Sequence, residues 1–391
     1  MESTEKPAQE SRKTIRTFAA ASFLNDMGSD MIYPVWPMFL TTVLGANMAI
    51  LGLIDGIGDA FVSISQALSG YYSDKLKKRK IFIWIGYLFG SMSRLGYAVS
   101  LSWQWIIPFR ILDRTGKIRS APRDAIVADV STTNNRGTNF GLLRAMDNLG
   151  AVVGILLCIG LAQLVDYRTI FYLASIPSFL GAMLILTQIC EHKAEKVKVY
   201  KGIKLNDLDR NFNLFLVLSA IFALGSFSYS FLLIFAKEYG FKMSFVPVLY
   251  LIFTAVASLV SLPFGKMADK IGRKKVMILS FILWGLTCLV AVTDQSKVTV
   301  FALFVLFGLH KGALEPVQKT FVSELAPTQF RASALGGYQM VIGLCALPAS
   351  MVAGLLWETY GVLVSFYFAM GLSLIAVVLM GFVKENRMKT S

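Results

Sequence analysis

Apolar residues run along this chain in long blocks separated by short polar stretches. Twelve blocks can be marked, roughly 17–43, 48–71, 80–101, 103–122, 138–165, 168–190, 211–236, 244–267, 274–293, 297–323, 331–357 and 361–384. Each is long enough to cross about 30 Å of hydrocarbon as a helix rising about 1.5 Å per residue. The alternation of a barrel strand is absent, and a helix satisfies its own backbone in lipid. The pattern predicts an all-α polytopic membrane protein with 12 transmembrane helices.

The longest polar stretch, residues 191–210, reads EHKAEKVKVYKGIKLNDLDR and falls at the midpoint. It predicts a linker between two six-helix halves, 17–190 and 211–385, with short tails at 1–16 and 386–391. The loop after the second block holds Lys75, Lys77, Lys78, Arg79 and Lys80; that after the eighth holds Lys266, Lys270, Arg273, Lys274 and Lys275. The opposite side has few cations, chiefly Arg168, Lys237, Lys242 and Lys297. This asymmetry places both termini and the linker in the cytoplasm and the protein in the cytoplasmic membrane.

Composition agrees with that reading. Of 391 residues, 55% are hydrophobic and 16% charged, and the mean hydropathy is +0.61. A soluble domain carries about 25% charged residues. The net charge of +14 does not point to nucleic acid, because the cations concentrate in short segments between apolar blocks. The first sixteen residues mix Glu2, Glu5 and Glu10 with Lys6, Arg12, Lys13 and Arg16. The block that follows carries Asn25, Asp26 and Asp30 and has no small-residue cleavage site, so no cleaved signal peptide is read. Cys158, Cys190, Cys288 and Cys345 have neither disulfide nor metal spacing, and no zinc motif joins them to His192 or His310. No GxGxxG, P-loop or HExxH pattern is present, so neither an enzyme nor a cofactor is expected.

The halves repeat. Asp74 in GYYSDKLKKRK and Asp269 in GKMADKIGRKK are 195 apart (269 − 74), as are Arg136 and Arg331 (331 − 136). Gly141 and Gly336, and Asp129 and Glu324, keep the same offset. Four pairs at one spacing indicate a duplication.

The signature G-x-x-(S/A)-D-x-x-x-(R/K)-(R/K) appears as Gly70, Ser73, Asp74, Lys78 and Arg79, and again as Gly265, Ala268, Asp269, Arg273 and Lys274. On these two copies the chain resembles a major facilitator superfamily transporter over nearly its whole length. The segments NDMGSDMIYPVWPMFL and DRTGKIRSAPRDA are similar to a poorly characterised prokaryotic branch. The resemblance implies two pseudo-symmetric six-helix bundles and alternating access by rocking. It implies a gating role for Gly70, Asp74, Arg79, Gly265, Asp269 and Arg273, with Arg136 and Arg331 in the same framework.

The charges inside the apolar blocks are the candidate chemistry, since each costs about 2.5–3.5 kcal/mol at the centre of a spanning helix. Arg110, Arg114 and Lys117 share one helical face at i, i+4 and i+7, with Asp113 beside them. Lys117 and Arg119 read as the end that approaches the cytoplasm. The first block carries Asp26, Asp30, Tyr33 and Pro37 at spacings of four, three and four, and Pro34 and Pro37 predict a broken helix. Asp55 and Asp59 follow on the second block, set to bind protons or to pair with Arg94 or Arg110. Arg144 and Asp147 on the fifth block are read as joining the same network.

Gly141, Gly150 and Gly154 match the first part of the antiporter signature G-x8-G-x3-G-P-x-x-G-G. Ile155, Cys158 and Ile159 replace its remaining proline and glycines, which leaves close packing through small residues. The second half offers Tyr229, His310, Lys311, Glu315, Tyr338 and Gln339. Lys311 and Glu315 have helical ion-pair spacing; a lone His such as His310 is as readily a packing residue as a proton relay.

A secondary active transporter of a small organic solute follows, with protons as coupling ion at Asp26, Asp30, Asp59 and Asp113. Arg110, Arg114, Arg144 and Lys311 are candidates for holding an anionic or polar solute. The half signature leans towards proton-coupled export of a drug, chelator or organic anion. The surplus of cations leaves open a proton-coupled importer of an organic anion. A transporter-like sensor or receptor is the alternative from another class. The expected partners are the solute, protons and the lipid bilayer, with the protein a monomer and no nucleic acid bound.

Overall fold

A computed structural model describes residues 2–76, 78–132, 135–191, 209–294, 296–326 and 331–385, with residues 2–8, 70–71, 74, 136–137 and 331–333 described by backbone alone. The linker residues 192–208 and the side chains of Asp74, Arg136 and Arg331 lie outside that description, as does what surrounds Gly70.

Among the described residues every regular element is helical. The helix α1 (Glu2–Ile32) runs through most of the first apolar block and stops at Tyr33, where the ring of Pro34 disfavours helical backbone at the preceding residue. A three-residue helix α2 (Trp36–Met38) and a π turn at Phe39–Val43 complete that block. Then come α3 (Met48–Leu76), α4 (Lys80–Val99) and α5 (Trp103–Thr115). A tight 3-10 turn, Gly116–Arg119, leads into α6 (Ser120–Asp129), followed by α7 (Arg136–Leu161) and α8 (Tyr167–Gln188). The seventh block is shared by α9 (Arg210–Leu224) and α10 (Tyr229–Glu238). The remaining helices are α11 (Val246–Ile271), α12 (Arg273–Thr293), α13 (Lys297–Leu325), α14 (Arg331–Tyr360) and α15 (Val362–Phe382).

Nine stretches among the described residues are long and apolar enough to cross a membrane by length and composition. The expected blocks 17–43, 80–101 and 103–122 are not among them. The first is interrupted by the break after Ile32, α5 has only 13 residues, and α4 dilutes its apolar residues with Arg94, serines and glycines. All three are helices that carry buried polar chemistry.

The chain divides into two compact units, Met1–Gly45 with Phe61–Tyr200, and Ala46–Ala60 with Lys201–Ser391. In the first unit α1 lies against α7 and α8, and α4 against α8 and α5. Two glycines set the α1–α7 distance: a methyl group at Gly150 would sit 2.4 Å from the Phe23 carbonyl oxygen, and one at Gly154 2.3 Å from that of Met27. Gly141, the third glycine of the half signature, has nothing within 4 Å of that position. In the second unit α13 lies against α11 and α12, and α15 against α9 and α12. Its core is aromatic: Trp284 donates to the Gly225 carbonyl at 2.9 Å, and Phe227 meets Phe231, Trp284 and Phe366.

The two units repeat a charged corner. Arg79 is buried and ion-paired with Asp129, while Glu191 Oε1 accepts the Arg79 and Lys80 amides at 2.6 and 3.3 Å. In the other unit Arg273 pairs with Glu324 and Asp269, each at 3.0 Å, and Glu385 Oε1 accepts the Arg273 amide at 2.5 Å. A carboxylate placed over the first amides of α4 and of α12 satisfies donors that the helix cannot. The geometric counterpart of Arg273 is therefore Arg79, one residue beyond the Lys78 that signature alignment pairs with it. Gly265 has open space around its α-carbon.

Candidate functional site

In the first unit α5 turns its charges inward. Arg110 is 2% exposed, and its guanidinium lies 4.4 Å from the centre of the Trp36 ring. The break after α1 makes this possible, because the Pro34 turn carries Tyr33 and Trp36 out of the helical register. Arg114 lies 5.3 Å from the Tyr33 ring centre, donates to Tyr33 Oη at 3.4 Å and approaches Asp113 at 3.8 Å. Asp113 is 8% exposed and accepts from Ser93 Oγ at 3.3 Å. The charges of Arg114, Arg94, Arg110 and Lys117 all act on it.

Arg94 completes this layer from α4. It is 1% exposed and donates through Nη2 to Ser29 Oγ at 2.7 Å and to the Asn25 carbonyl at 3.5 Å. Its Nε and Nη1 have no hydrogen-bond partner among the described residues. Gly28 makes room for it: a methyl group there would lie 2.9 Å from Arg94 Nη1 and 2.4 Å from the Ala174 carbonyl oxygen.

Asp26 and Asp30 are half-buried one turn apart on α1, Tyr33 is half-buried just beyond its end, and Asn25 donates to Asp26 at 2.8 Å. Lys117 is half-buried and forms no ion pair among the described residues. Arg119 departs from its expected course. The 3-10 turn directs it inward, where it is 6% exposed, caps the Gly116 carbonyl at 2.9 Å and lies 4.9 Å from the Tyr87 ring centre.

A second layer sits one turn along. Arg123 donates to Ser22 Oγ at 2.7 Å, pairs with Asp124 at 3.0 Å and approaches Asp147 at 3.8 Å. Arg144 reaches the other oxygen of Asp147 at 3.8 Å, and its own side chain is 71% exposed.

The structure thus gathers Asp26, Asp30, Tyr33, Arg110, Asp113 and Arg114 in one unit, with Arg144 and Asp147 beside them. Asp59 is on the part of α3 grouped with the other unit, where Asp55 accepts from Ser228 Oγ at 2.7 Å. Arg94, Trp36, Ser29 and Arg123 are members that sequence reading did not assign. A lone cation in an apolar block marked Arg94; nothing in the spacing marked Trp36.

The second-unit candidates form three groups. Lys311 Nζ lies 5.7 Å from the Phe307 ring centre, and Phe253 links that ring to Tyr250 and Tyr229. Glu315, one turn from Lys311, is exposed. Gln318 donates to Tyr338 Oη at 2.6 Å, Tyr338 stacks on Phe215, and Gln339 beside it is half-buried. His310 is fully buried among Phe222, Trp284 and Phe307. Its Nδ1 meets the Ser280 carbonyl at 2.9 Å, and its Nε2 has no hydrogen-bond partner among the described residues.

Comparison with known proteins agrees with this architecture. The chain is 36% identical to an uncharacterized MFS-type transporter of Methanocaldococcus jannaschii, over 90% of each chain. It is 25% identical to the quinolone resistance protein NorA of Staphylococcus aureus, covering 94% of this chain and 95% of that protein. Among solved structures, a variant of the nucleoside transporter NupG superposes with a TM-score of 0.83 at 14% identity, over 95% of this chain and 100% of that one. A bacterial homologue of the lysosomal transporter Spinster gives 0.77 at 15%, over 94% and 96%. The Major Facilitator Superfamily profile matches residues 18–257 and 214–390. With two duplicated charged corners and a charge cluster inside its membrane helices, this chain belongs to the Major Facilitator Superfamily.

Proposed function

We propose that the protein is a proton-coupled secondary transporter of a small organic anion, working by alternating access. The observation that carries this reading is the Arg114–Lys117 face of the first unit. There Arg114 leans on the ring and hydroxyl of Tyr33, its Asp113 contact is 3.8 Å long, and Lys117 has no ion pair among the described residues. A low-dielectric site with more cationic than anionic groups favours an anionic ligand.

Electrostatics then couples the solute to protons. Asp26 and Asp30 line the half-exposed stripe of α1. An anion bound at Arg114 and Lys117 takes up the attraction those cations exert on the carboxylates. A carboxylate stripped of counter-charge favours its neutral, protonated form. Anion and proton thus assist each other's binding, which is the thermodynamic condition for carrying both in one direction. Asp113, buried and hydrogen-bonded by Ser93, serves as the fixed counter-charge.

A second reading, export in exchange for protons, is favoured by the close α1–α7 contact at Gly150 and Gly154. The name of the Staphylococcus aureus relative, a quinolone resistance protein, points the same way. A thermal-shift panel of organic anions, cations and sugars on purified protein tests the solute class. Stabilisation by anions, lost in Arg114→Gln, is expected; stabilisation by cations or sugars alone would reject it.

A further inference from the structure

We propose that the pocket beside residues 11–16 of α1 in the first unit is a headgroup site for an acidic phospholipid. The pocket holds about 350 Å³ and is lined on its polar side by Ser11, Arg12, Arg16, Thr132, Asn135 and Asn139. Arg12 and Arg16 stand one turn apart on α1, both exposed, and neither forms an ion pair among the described residues.

The hydrogen bonds around the pocket make it a donor site. Asn135 Oδ1 accepts the Thr132 amide at 2.8 Å and Asn139 Nδ2 at 3.4 Å, and the same Asn139 nitrogen donates to Ser131 Oγ at 2.8 Å. That network orients the Asn135 amide with its oxygen satisfied, so the group it has left to offer is its NH2. Two guanidinium forks and an amide NH2, with no carboxylate in the lining, suit a phosphate group.

The remaining lining selects a lipid over a free phosphate. Ile15, Val130 and Leu142 supply the apolar side of the pocket, and Leu142 is 40% exposed. Arg16 is the last residue before the apolar block 17–43, and Leu142 stands near the start of the block 138–165. The pocket therefore spans the boundary between headgroup and hydrocarbon, on the side whose basic loops are expected to face anionic lipid. A lipid bound there bridges α1 to the segment after α6. That segment begins next to Asp129, the partner of Arg79, so the lipid would brace one of the two duplicated charged corners.

The test uses the full chain purified in neutral detergent, with native mass spectrometry and thermal unfolding as readouts. Phosphatidylglycerol, phosphatidylcholine and soluble glycerol phosphate are added in turn. The wild type is expected to retain and be stabilised by phosphatidylglycerol alone. The Arg12→Gln/Arg16→Gln variant should melt like the wild type without lipid and hold phosphatidylglycerol at least about tenfold more weakly. Asn135→Asp, which puts a carboxylate into the pocket, should weaken retention as well. Lys13→Gln, an exposed neighbour outside the lining, should leave it unchanged. Undiminished retention by the double variant, or equal loss in Lys13→Gln, would overturn the site. Equal stabilisation of the wild type by glycerol phosphate would overturn the lipid as its occupant.

Discussion

The guanidinium of Arg110 rests 4.4 Å from the centre of the Trp36 ring, so a charge inside a membrane helix is held partly by an aromatic face. Replacing the ring should be felt first as instability. Trp36→Leu is expected to remove roughly 2 kcal/mol of cation–π attraction and to lower the unfolding midpoint in detergent. Trp36→Phe should fall between it and the wild type. Equal midpoints for the three proteins would show that the ring does not support Arg110.

Three glycines of one sequence motif should behave differently. Gly150→Ala and Gly154→Ala each push a methyl into an α1 carbonyl and are expected to destabilise by about 1–3 kcal/mol through overpacking. Gly141→Ala meets open space and should be neutral or slightly stabilising. Thermal unfolding of the three variants checks the contrast.

The caps of the duplicated corners make a paired prediction. Glu191→Ala and Glu385→Ala each leave amides at a helix start without their carboxylate, with an expected loss of about 0.5–2 kcal/mol. Similar losses from residues so distant in the chain would reflect their equivalent places in the duplication. A loss in one variant alone would argue that the two caps are not equivalent.

Much of the fold was legible because lipid leaves the backbone few choices. Block lengths, the break at Pro34 and the close packing at Gly150 and Gly154 all follow from local rules. The site was legible only in part. Spacing on one helix placed Arg110, Asp113 and Arg114 together, and Asp26 with Asp30. It could not show that the Pro34 turn swings Trp36 onto Arg110, that Gly28 opens a space for Arg94, or that the 3-10 turn at 116–119 folds Arg119 back onto Tyr87. Those depend on how neighbouring helices meet, which period alone does not encode. The same limit shifted the counterpart of Arg273 by one residue. His310 shows the point in the second unit: sequence left its role open, and three aromatic rings with the Ser280 carbonyl now account for its surroundings.

Selectivity should follow Lys117, which forms no ion pair among the described residues. Lys117→Gln is expected to lower affinity for anionic solutes by about tenfold, corresponding to one weakened charge interaction, while sparing stability. Competition binding on the purified variant checks this, and an unchanged affinity would remove Lys117 from the site.

The sign of proton movement separates co-transport of anion and proton from their exchange. Proteoliposomes loaded with a pH-sensitive dye and given an inward gradient of a bound organic anion should acidify inside as anion and proton enter together. In Asp30→Asn, exchange of labelled for unlabelled anion should continue while acidification stops. Alkalinisation of the lumen by the wild type, or acidification by Asp30→Asn equal to that of the wild type, would contradict co-transport coupled through Asp30.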